Sequence, residues 1–241
     1  MTDEIRAQLA PHGVLRAGIN MSNFLLVTSR TPEGDPEGVS PGMARAVAAA
    51  LGVPVKLVPF PRPGELADAV DADAWDIGLI GAEPQRAEKI AFTAPYAVIE
   101  ATYMLPPGSP IAGMEQVDQA GVRIAVAARS AYDLWLARNI HRATLVRGES
   151  LDEATRIFME QKLEALAGLR PRLITDAEAM PGARILEGNF TTVQQAIGTA
   201  KRNAAAAEWL ARFVEEAKAS GLVGRLIAQH EVRGLSVAPL A

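Results

Sequence analysis

The chain contains no cysteine, and its histidines are few and scattered, which removes several kinds of chemistry at once. Without cysteine there is no disulfide, no thiolate nucleophile and no cysteine-based metal site. His12, His141 and His230 lie far apart and lack the spacing of metal ligands. There is also no glycine-rich phosphate loop. We therefore predict that the protein uses no metal and no cofactor.

Excess charge and long apolar runs are lacking as well. The formal net charge of −4 gives no reason to expect a nucleic-acid partner, whose phosphates require clustered Lys and Arg. No stretch approaches the ~18 consecutive apolar residues of a membrane-spanning helix. Residues 1–6 contain no apolar core of a signal peptide. We expect a periplasmic protein if a leader has been removed, and a cytoplasmic one otherwise.

Short apolar runs alternate with helix-period segments along most of the chain, which predicts an α/β fold of mostly parallel sheets flanked by helices. Two such sets of elements are joined by extended segments at 97–105 and 192–198. We therefore predict two lobes with a cleft between them. The first lobe comprises residues 1–98 plus 197–241, and the second comprises residues 99–196.

Capping residues predict where individual helices begin and end. Ser40 is a good N-cap for a helix that Gly52 would end. Ser130 is predicted to cap a later helix, and Ser150 to Glu153 spells a capping box before the next one. The run 172–175 is predicted to be a short strand.

The most distinctive stretch runs from Asp76 through Arg86 to Tyr96. It reads Asp-Ile-Gly-Leu-Ile-Gly-Ala-Glu-Pro-Gln-Arg and continues to Phe-Thr-Ala-Pro-Tyr. This stretch resembles the amino-acid-type (family 3) solute-binding proteins of bacterial ABC importers. In that family a strand with an early Asp leads to a turn of small residues, then Pro-x-Arg on a short helix and Phe-Ser/Thr-x-Pro-Tyr. The likeness extends over most of the chain and implies a two-lobed, periplasmic-binding-protein-like fold.

The resemblance implies that Arg86 faces the cleft and holds the carboxylate of a ligand. A planar guanidinium matches a carboxylate with two parallel hydrogen bonds, which supports this role. Gly81 and Ala82 end the preceding strand, where backbone N–H groups would point at the carboxyl edge of the sheet. The alternative is a surface arginine paired with Glu83 or Asp76.

In the second lobe the resemblance places Ser130 at a turn that contacts the same carboxylate. Its hydroxyl and neighbouring N–H groups would bind the ligand, and capping of the following helix is an alternative that can coexist with this role. Arg129 replaces the glycine that the family usually has at this turn. Its side chain would either reach the ligand or lie in solvent.

Further candidate contacts follow from the same likeness. Asn20, Asn23 and Phe24 lie in the loop after the first strand, and Asn20 stands where the family often has Asp. Phe24 and Phe60 lie near loops that border the cleft, and each is either a ligand platform or part of the core. Arg62 is either a second cation for a dicarboxylate or a solvent-facing loop residue.

The chain departs from the family where the ammonium group of an amino acid is usually bound. Typical members use an Asp of the second lobe, which here aligns near Gly168 or Leu169, and neither side chain can accept a hydrogen bond. Gly81 stands where a Ser or Thr often contacts the ligand. Burying an ammonium without a partner would cost several kcal/mol. The hypothesis is therefore a small carboxylate that is not a standard α-amino acid bound in the usual way.

These observations predict a monomeric binding protein, not an enzyme, that delivers its ligand to the permease of an ABC transporter. One alternative is an enzyme of the cyclohexadienyl dehydratase kind, which would need a general acid in the cleft. Glu164, Asp133 and Glu100 are the nearest candidates, and none stands in a recognisable catalytic pair. A second alternative is a leaderless ligand sensor on the same fold.

Overall fold

A computed structural model describes residues 3–241 as two compact units. The first unit combines the chain up to Val98 with Gln194–Ala241, and the second consists of Ile99–Val193. The sequence prediction places the return to the first lobe at residue 197, and the first unit resumes at Gln194. Residues 194–196 belong to the first unit because the backbone oxygens of Gln194 and Gln195 accept hydrogen bonds from Ala82 and Tyr96.

Helices and strands alternate through the first unit up to the strand that leaves it, β7. In chain order they are α1 Asp3–Leu9, β1 Leu15–Asn20, β2 Ser29–Arg30, β3 Pro36–Glu37, α2 Val39–Leu51, β4 Val55–Phe60, α3 Pro63–Asp68, β5 Ile77–Gly81, β6 Ile90–Phe92 and β7 Ala97–Leu105. A short 3₁₀ helix, Arg86–Glu88, lies between β5 and β6.

The second unit repeats the alternation, and β12 returns the chain to the first. Its elements are β8 Arg123–Ala127, α4 Ala131–Asn139, β9 Thr144–Gly148, α5 Leu151–Glu160, β10 Ala165–Leu169, α6 Arg170–Glu178, β11 Arg184–Ile185 and the start of β12 Thr191–Ala200. The first unit then ends with α7 Ala204–Ala219, α8 Leu222–Gln229 and β13 Ser236–Val237. A 3₁₀ turn, Met114–Gln116, precedes β8.

Each unit has three neighbouring parallel strands, and their carboxyl ends therefore share an edge. In the first unit the order is β4, β1, β5, and β12 then pairs antiparallel with β5. In the second unit β10, β8 and β9 are parallel, while β7 pairs antiparallel with β10. Ligands of open parallel sheets bind outside the carboxyl ends of the strands, so these two edges are where a site is expected.

The core of the first unit is built around Trp75, which lies just before β5. Its indole N–H donates to the Leu66 carbonyl at 2.9 Å, so the one polar atom of the ring is satisfied in the interior. Gly18 and Gly78 face each other across β1 and β5 and leave room for this ring. A Cβ at Gly18 would lie 3.1 Å from Trp75 Cδ1, tighter than ordinary packing.

An ion pair fixes the amino end of β5 to β1. Asp76 is 4% exposed and accepts from the Arg16 backbone N–H at 2.7 Å and from Arg16 Nη2 at 2.7 Å. The positive charge of Arg16 compensates the negative charge of the buried Asp76 carboxylate. Asp76 is therefore the partner of Arg16, and the alternative in which it pairs with Arg86 is wrong.

The predicted cap at Ser40 is also wrong. Helix α2 begins at Val39, with Gly38 as N-cap at φ 145°. A Cβ at Gly38 would lie 2.3 Å from the Leu26 carbonyl oxygen, so only glycine fits there. The Ser40 hydroxyl instead bonds the buried Tyr96 hydroxyl at 2.8 Å. Burial raises the pKa of Tyr96, and Ser40 keeps its phenol satisfied in the interior.

Three other local predictions have clear outcomes. Gly52 ends α2 in the left-handed conformation, as predicted. Ser150 caps α5 by accepting from Glu153 N at 3.1 Å. The strand predicted at 172–175 is wrong, because this run lies inside α6. Arg172 Nε bonds Asp176 Oδ1 at 2.9 Å one turn further along that helix, a pairing that strand geometry does not provide.

The carboxylate of Asp118 is bonded by three backbone N–H groups of the second unit. Burial works against its charged form, but the N–H groups of Ala143, Arg142 and His141 all bond it and lower its pKa. Because the pKa is lowered in the folded state, this stabilisation is complete above the unfolded pKa of about 3.9 and is lost as the pH falls through the folded value. We expect Asp118→Asn to lower the free energy of unfolding by about 1 kcal/mol at pH 7.

Urea denaturation of both proteins at pH 7 and at pH 3 measures this effect. The difference between wild type and Asp118→Asn should shrink at the lower pH. Asp35→Asn, on an exposed side chain, is the matched control. An Asp118→Asn effect of equal size at both pH values would show that the charge of Asp118 is not what stabilises the turn.

Candidate functional site

The carboxyl edge of the first unit brings together several predicted site residues. Asn20 and Phe60 are register partners at the ends of β1 and β4. Ile19, one residue earlier, is paired with Leu79 of β5, so Gly81 ends on the same edge. This arrangement follows from the parallel pairing of three strands, since parallel strands end on the same side of a sheet.

Arg86 is buried at this edge, with only 6% of its surface exposed. It opens the 3₁₀ turn after β5, and its Nη1 donates to the Gly81 carbonyl at 2.7 Å. This bond holds the guanidinium against the end of β5. A surface arginine would extend into solvent, so the alternative of an exposed side chain is wrong. A buried guanidinium has five donors and a full positive charge, which is the chemistry of an anion-binding group.

The N–H group of Ala82 does not have the predicted role. The sequence predicts that it points toward a ligand, but it donates to the Gln194 carbonyl at 2.7 Å. The helix that follows is a single 3₁₀ turn of three residues, which is too short to carry a helix dipole. The Arg86 side chain places a positive charge at this edge.

The loop after β1 is held by its own side chains. Asn20 Oδ1 accepts from the Ser22 hydroxyl at 2.8 Å, and buried Asn23 Oδ1 accepts from the Leu25 N–H at 3.2 Å. These bonds are typical of asparagine turns, which shape a loop locally. Phe24 is 37% exposed at the tip of this loop. Ligand contacts of Asn20, Asn23 and Phe24 stay predictions.

Phe60 ends β4 and Arg62 lies two residues later; the first packs against the core and the second is exposed. Phe60 is partly buried and packs against the cluster that contains Leu66, Trp75 and Ile80. The structure therefore gives Phe60 a role in the core. Arg62 is exposed, and its Nε donates to Glu65 Oε1 at 2.6 Å.

In the second unit, Ser130 is the N-cap of α4, as predicted. Its Oγ accepts from the Asp133 N–H at 3.1 Å, while Asp133 Oδ2 accepts from the Arg129 N–H at 2.8 Å. The N–H groups of Ala128 and Ser130 donate to the carbonyls of Gly148 and Ala127. These three N–H groups are used within the unit, and the contact of the Ser130 hydroxyl and of other nearby N–H groups with a carboxylate stays a prediction. The proton of the Ser130 hydroxyl is the donor that this cap does not use.

Arg129 adopts a left-handed backbone conformation, with φ 58°. This conformation is the physical reason for the glycine that the family usually has here, since a Cβ makes it costly. The turn is held in place from its other side by Asp133, which is 2% exposed and bonds Arg147 Nε at 2.9 Å.

Gly168 and Leu169 end β10, next to the turn that follows β8. Gly168 is buried inside the strand, and a Cβ there would come within 3.0 Å of Leu173 Cδ2. Leu169 is the N-cap of α6, is 5% exposed and makes no side-chain cap bond. The N-cap is the position at which an Asp would be favoured on local grounds. Neither Gly168 nor Leu169 has a side-chain acceptor at this edge.

The three acids considered as catalytic groups are each held by arginine. Arg123 binds Glu164 through Nε at 2.9 Å and Nη2 at 2.8 Å; hydrogen bonds from Arg123 lower the pKa of Glu164. Glu164 also immediately precedes β10, at the opposite end from the carboxyl edge. Glu100 pairs with Arg170 at 2.5 Å, and Asp133 with Arg147. The lowered pKa of Glu164 makes it a poor general acid.

Gln195 is a polar residue at the first edge that sequence reasoning did not select. It is 2% exposed, and its Cα is the register partner of Gly81. The run of polar residues before it was visible in the sequence, but only the pairing of β12 with β5 places Gln195 beside the end of β5. No pattern within β12 alone signals this position.

Within residues 3–241 no group of three or more His, Asp or Glu side chains is arranged to hold a metal ion. Over the same residues no helix is both long enough and apolar enough to cross a lipid bilayer.

Because φ is positive at Arg129, we expect Arg129→Gly to raise the free energy of unfolding by about 0.5–1 kcal/mol. Denaturant unfolding monitored by circular dichroism measures the change. Ala128→Gly in the same turn is the control and should lower stability by about the same amount, because Ala128 is outside the positive-φ region. A loss of stability in Arg129→Gly would mean that the side chain contributes more than the backbone strain costs.

Comparison with known proteins agrees with the fold and the family predicted from residues 76–96. A solved ABC-transporter binding component from Wolinella succinogenes, complexed with lysine, has 20% identity and a TM-score of 0.74, covering 90% of this chain and 95% of its own. The ancestral amino acid-binding protein AncCDT-1, a precursor of cyclohexadienyl dehydratase, has 19% identity and a TM-score of 0.74, covering 92% and 96%.

A histidine kinase sensor domain similar to periplasmic binding proteins has 16% identity and a TM-score of 0.77, covering 94% of this chain and 99% of its own. At these identities the likenesses show the fold, and the predicted α/β class of the periplasmic-binding-protein kind is confirmed. No curated protein matches the sequence. The model of the bacterial extracellular solute-binding proteins, family 3, matches residues 15–231. The chain therefore belongs to the bacterial extracellular solute-binding proteins, family 3.

Proposed function

We propose that this solute-binding protein captures a small carboxylate for the permease of an ABC importer, and that Arg86 recognises the negative charge. The observation that carries this proposal is the burial of a guanidinium at the carboxyl edge of β5. Removing a charge from water is costly, and a ligand carboxylate in hydrogen-bond contact offsets that cost. Contacts of Ser130, Arg129 and Gly168 with the ligand stay predictions.

The geometry of Arg86 suits a carboxylate better than a neutral ligand. Nη1 is oriented by the Gly81 carbonyl, which fixes the plane of the guanidinium before a ligand arrives. A planar fork held in this way can present two parallel N–H groups to the two oxygens of a carboxylate. Lysine at the same position would offer a point charge without the fork.

We expect Arg86→Ala to weaken carboxylate binding by about 1.5–3 kcal/mol, because a charged hydrogen bond is lost. This corresponds to a rise in Kd of roughly 10- to 100-fold. Arg86→Lys should fall between wild type and Arg86→Ala. Isothermal titration calorimetry with acids found in a thermal-shift screen measures these changes.

Arg202→Ala is the matched control for these titrations, since Arg202 is an exposed first-unit arginine paired with Asp73. Its Kd should equal that of wild type. Equal affinities of wild type and Arg86→Ala for every acid that binds would refute the role of Arg86.

We further propose that the ligand carries no α-ammonium group. The N-cap of α6 is a buried leucine without a side-chain acceptor, where typical family members present an Asp. An ammonium buried without an acidic partner would lose several kcal/mol, most of the ~8 kcal/mol that a micromolar complex provides. Organic acids are therefore the substrate class that fits.

Titration of matched pairs tests this assignment: succinate against aspartate, and butyrate against 2-aminobutyrate. The acid without the ammonium should bind at least tenfold more tightly, because a difference of ~1.4 kcal/mol is expected. Tighter binding of the amino acids would overturn the assignment. In that case buried Glu83, in the turn before Arg86, is the acid to replace by Gln in search of the ammonium partner.

We propose binding rather than catalysis for this site. Glu164, Glu100 and Asp133 are each engaged in an ion pair with arginine, and Glu164 lies at the end of β10 opposite its carboxyl edge. Incubation with prephenate should give no product above the uncatalysed rate. Measurable turnover would make the dehydratase alternative the better one.

A further inference from the structure

Gln195 carries a buried amide oxygen without a hydrogen-bond partner. The residue is 2% exposed, and no donor among residues 3–241 bonds its Oε1. A buried acceptor that loses its bond to water without replacement costs free energy on folding. Buried polar groups are satisfied in the great majority of cases, so this exception calls for a physical reason.

The register of the sheet places this amide at the edge described above. Gln195 is opposite Gly81 in the antiparallel pair of β12 and β5. The neighbouring pair is joined by the bond from Ala82 N to Gln194 O, so Gly81 and Gln195 form a pair without mutual backbone bonds. Side chains of such pairs lie closest together. Since Gly81 has no side chain, the Gln195 amide is next to the bare backbone at the end of β5.

Arg86 also contacts Gly81. Its Nη1 donates to the Gly81 carbonyl at 2.7 Å, so the cation and the amide acceptor are both positioned by Gly81. The first is complementary to a carboxylate, and the second to a hydrogen-bond donor. A small molecule that carries both a carboxylate and a hydrogen-bond donor offers the group that each of them requires.

We infer that Gln195 is a specificity residue whose Oε1 accepts a hydrogen bond from a hydroxyl on the ligand, so that the ligand is a small hydroxy carboxylate. This inference rests on the proposed function of Arg86. A hydroxyl fits better than an ammonium because the amide is neutral and cannot compensate a buried positive charge. A site built to bond a hydroxyl also discriminates against the analogue that lacks it, since its acceptor is then left unsatisfied.

The test uses three pairs of acids that differ only by an α-hydroxyl: glycolate and acetate, lactate and propionate, malate and succinate. Wild type should bind the hydroxy member of a pair roughly threefold to tenfold more tightly, the worth of a neutral hydrogen bond. Gln195→Met keeps the length of the side chain and removes the acceptor, so it should abolish the preference while the plain acid still binds. Gln229→Met, at an exposed position of α8, is the control and should retain the preference.

Unfolding without any ligand gives a second, independent readout. If the amide is kept for binding, Gln195→Met relieves an unsatisfied acceptor and should raise Tm by about 2–4 °C. A structural amide would give a fall in Tm. That fall, or a hydroxyl preference that persists in Gln195→Met, would overturn the inference.

The pattern of failure separates the two proposals. Binding of the acids by wild type without a hydroxyl preference overturns the role of Gln195 alone. Binding of none of the six acids overturns the proposed function and the role of Gln195 together.

Discussion

The hydrogen bond from Arg86 Nη1 to the Gly81 carbonyl is the interaction on which the site of the first unit depends. It places a positive charge that is 6% exposed against the end of a fully buried strand. Three further constraints make it possible. The Arg16–Asp76 pair fixes the start of β5, Gly18 and Gly78 admit Trp75 beneath it, and β12 covers its far side. The contacts that build the core around β5 therefore also position the Arg86 guanidinium.

The second unit uses side-chain caps to shape its edge. Helices α4 and α5 both begin at a serine that accepts from the third residue of the helix, Asp133 and Glu153 respectively. In both, the acid also accepts from the N–H of the residue before the serine. This repeated exchange occupies the N–H groups of Arg129 and Asp133 in one turn and those of Glu149 and Glu153 in the other.

Much of this structure could be predicted from the sequence because it depends on local or periodic signals. Strand β7 matches the extended segment predicted at 97–105, Gly52 ends α2, and Ser130 caps α4. The wrong prediction at Ser40 has its origin in a tertiary contact. Its neighbours in sequence favour a cap, whereas its partner, Tyr96, is 56 residues away. Gln195 was not selected because its position depends on which strand pairs with β12.

A crystal structure of the protein with the acid that gives the largest thermal shift tests the central claim most directly. The role proposed for Arg86 predicts a carboxylate with both oxygens within hydrogen-bond distance of the Arg86 guanidinium, about 2.7–2.9 Å. A bound acid whose carboxylate makes no contact with Arg86 would contradict it.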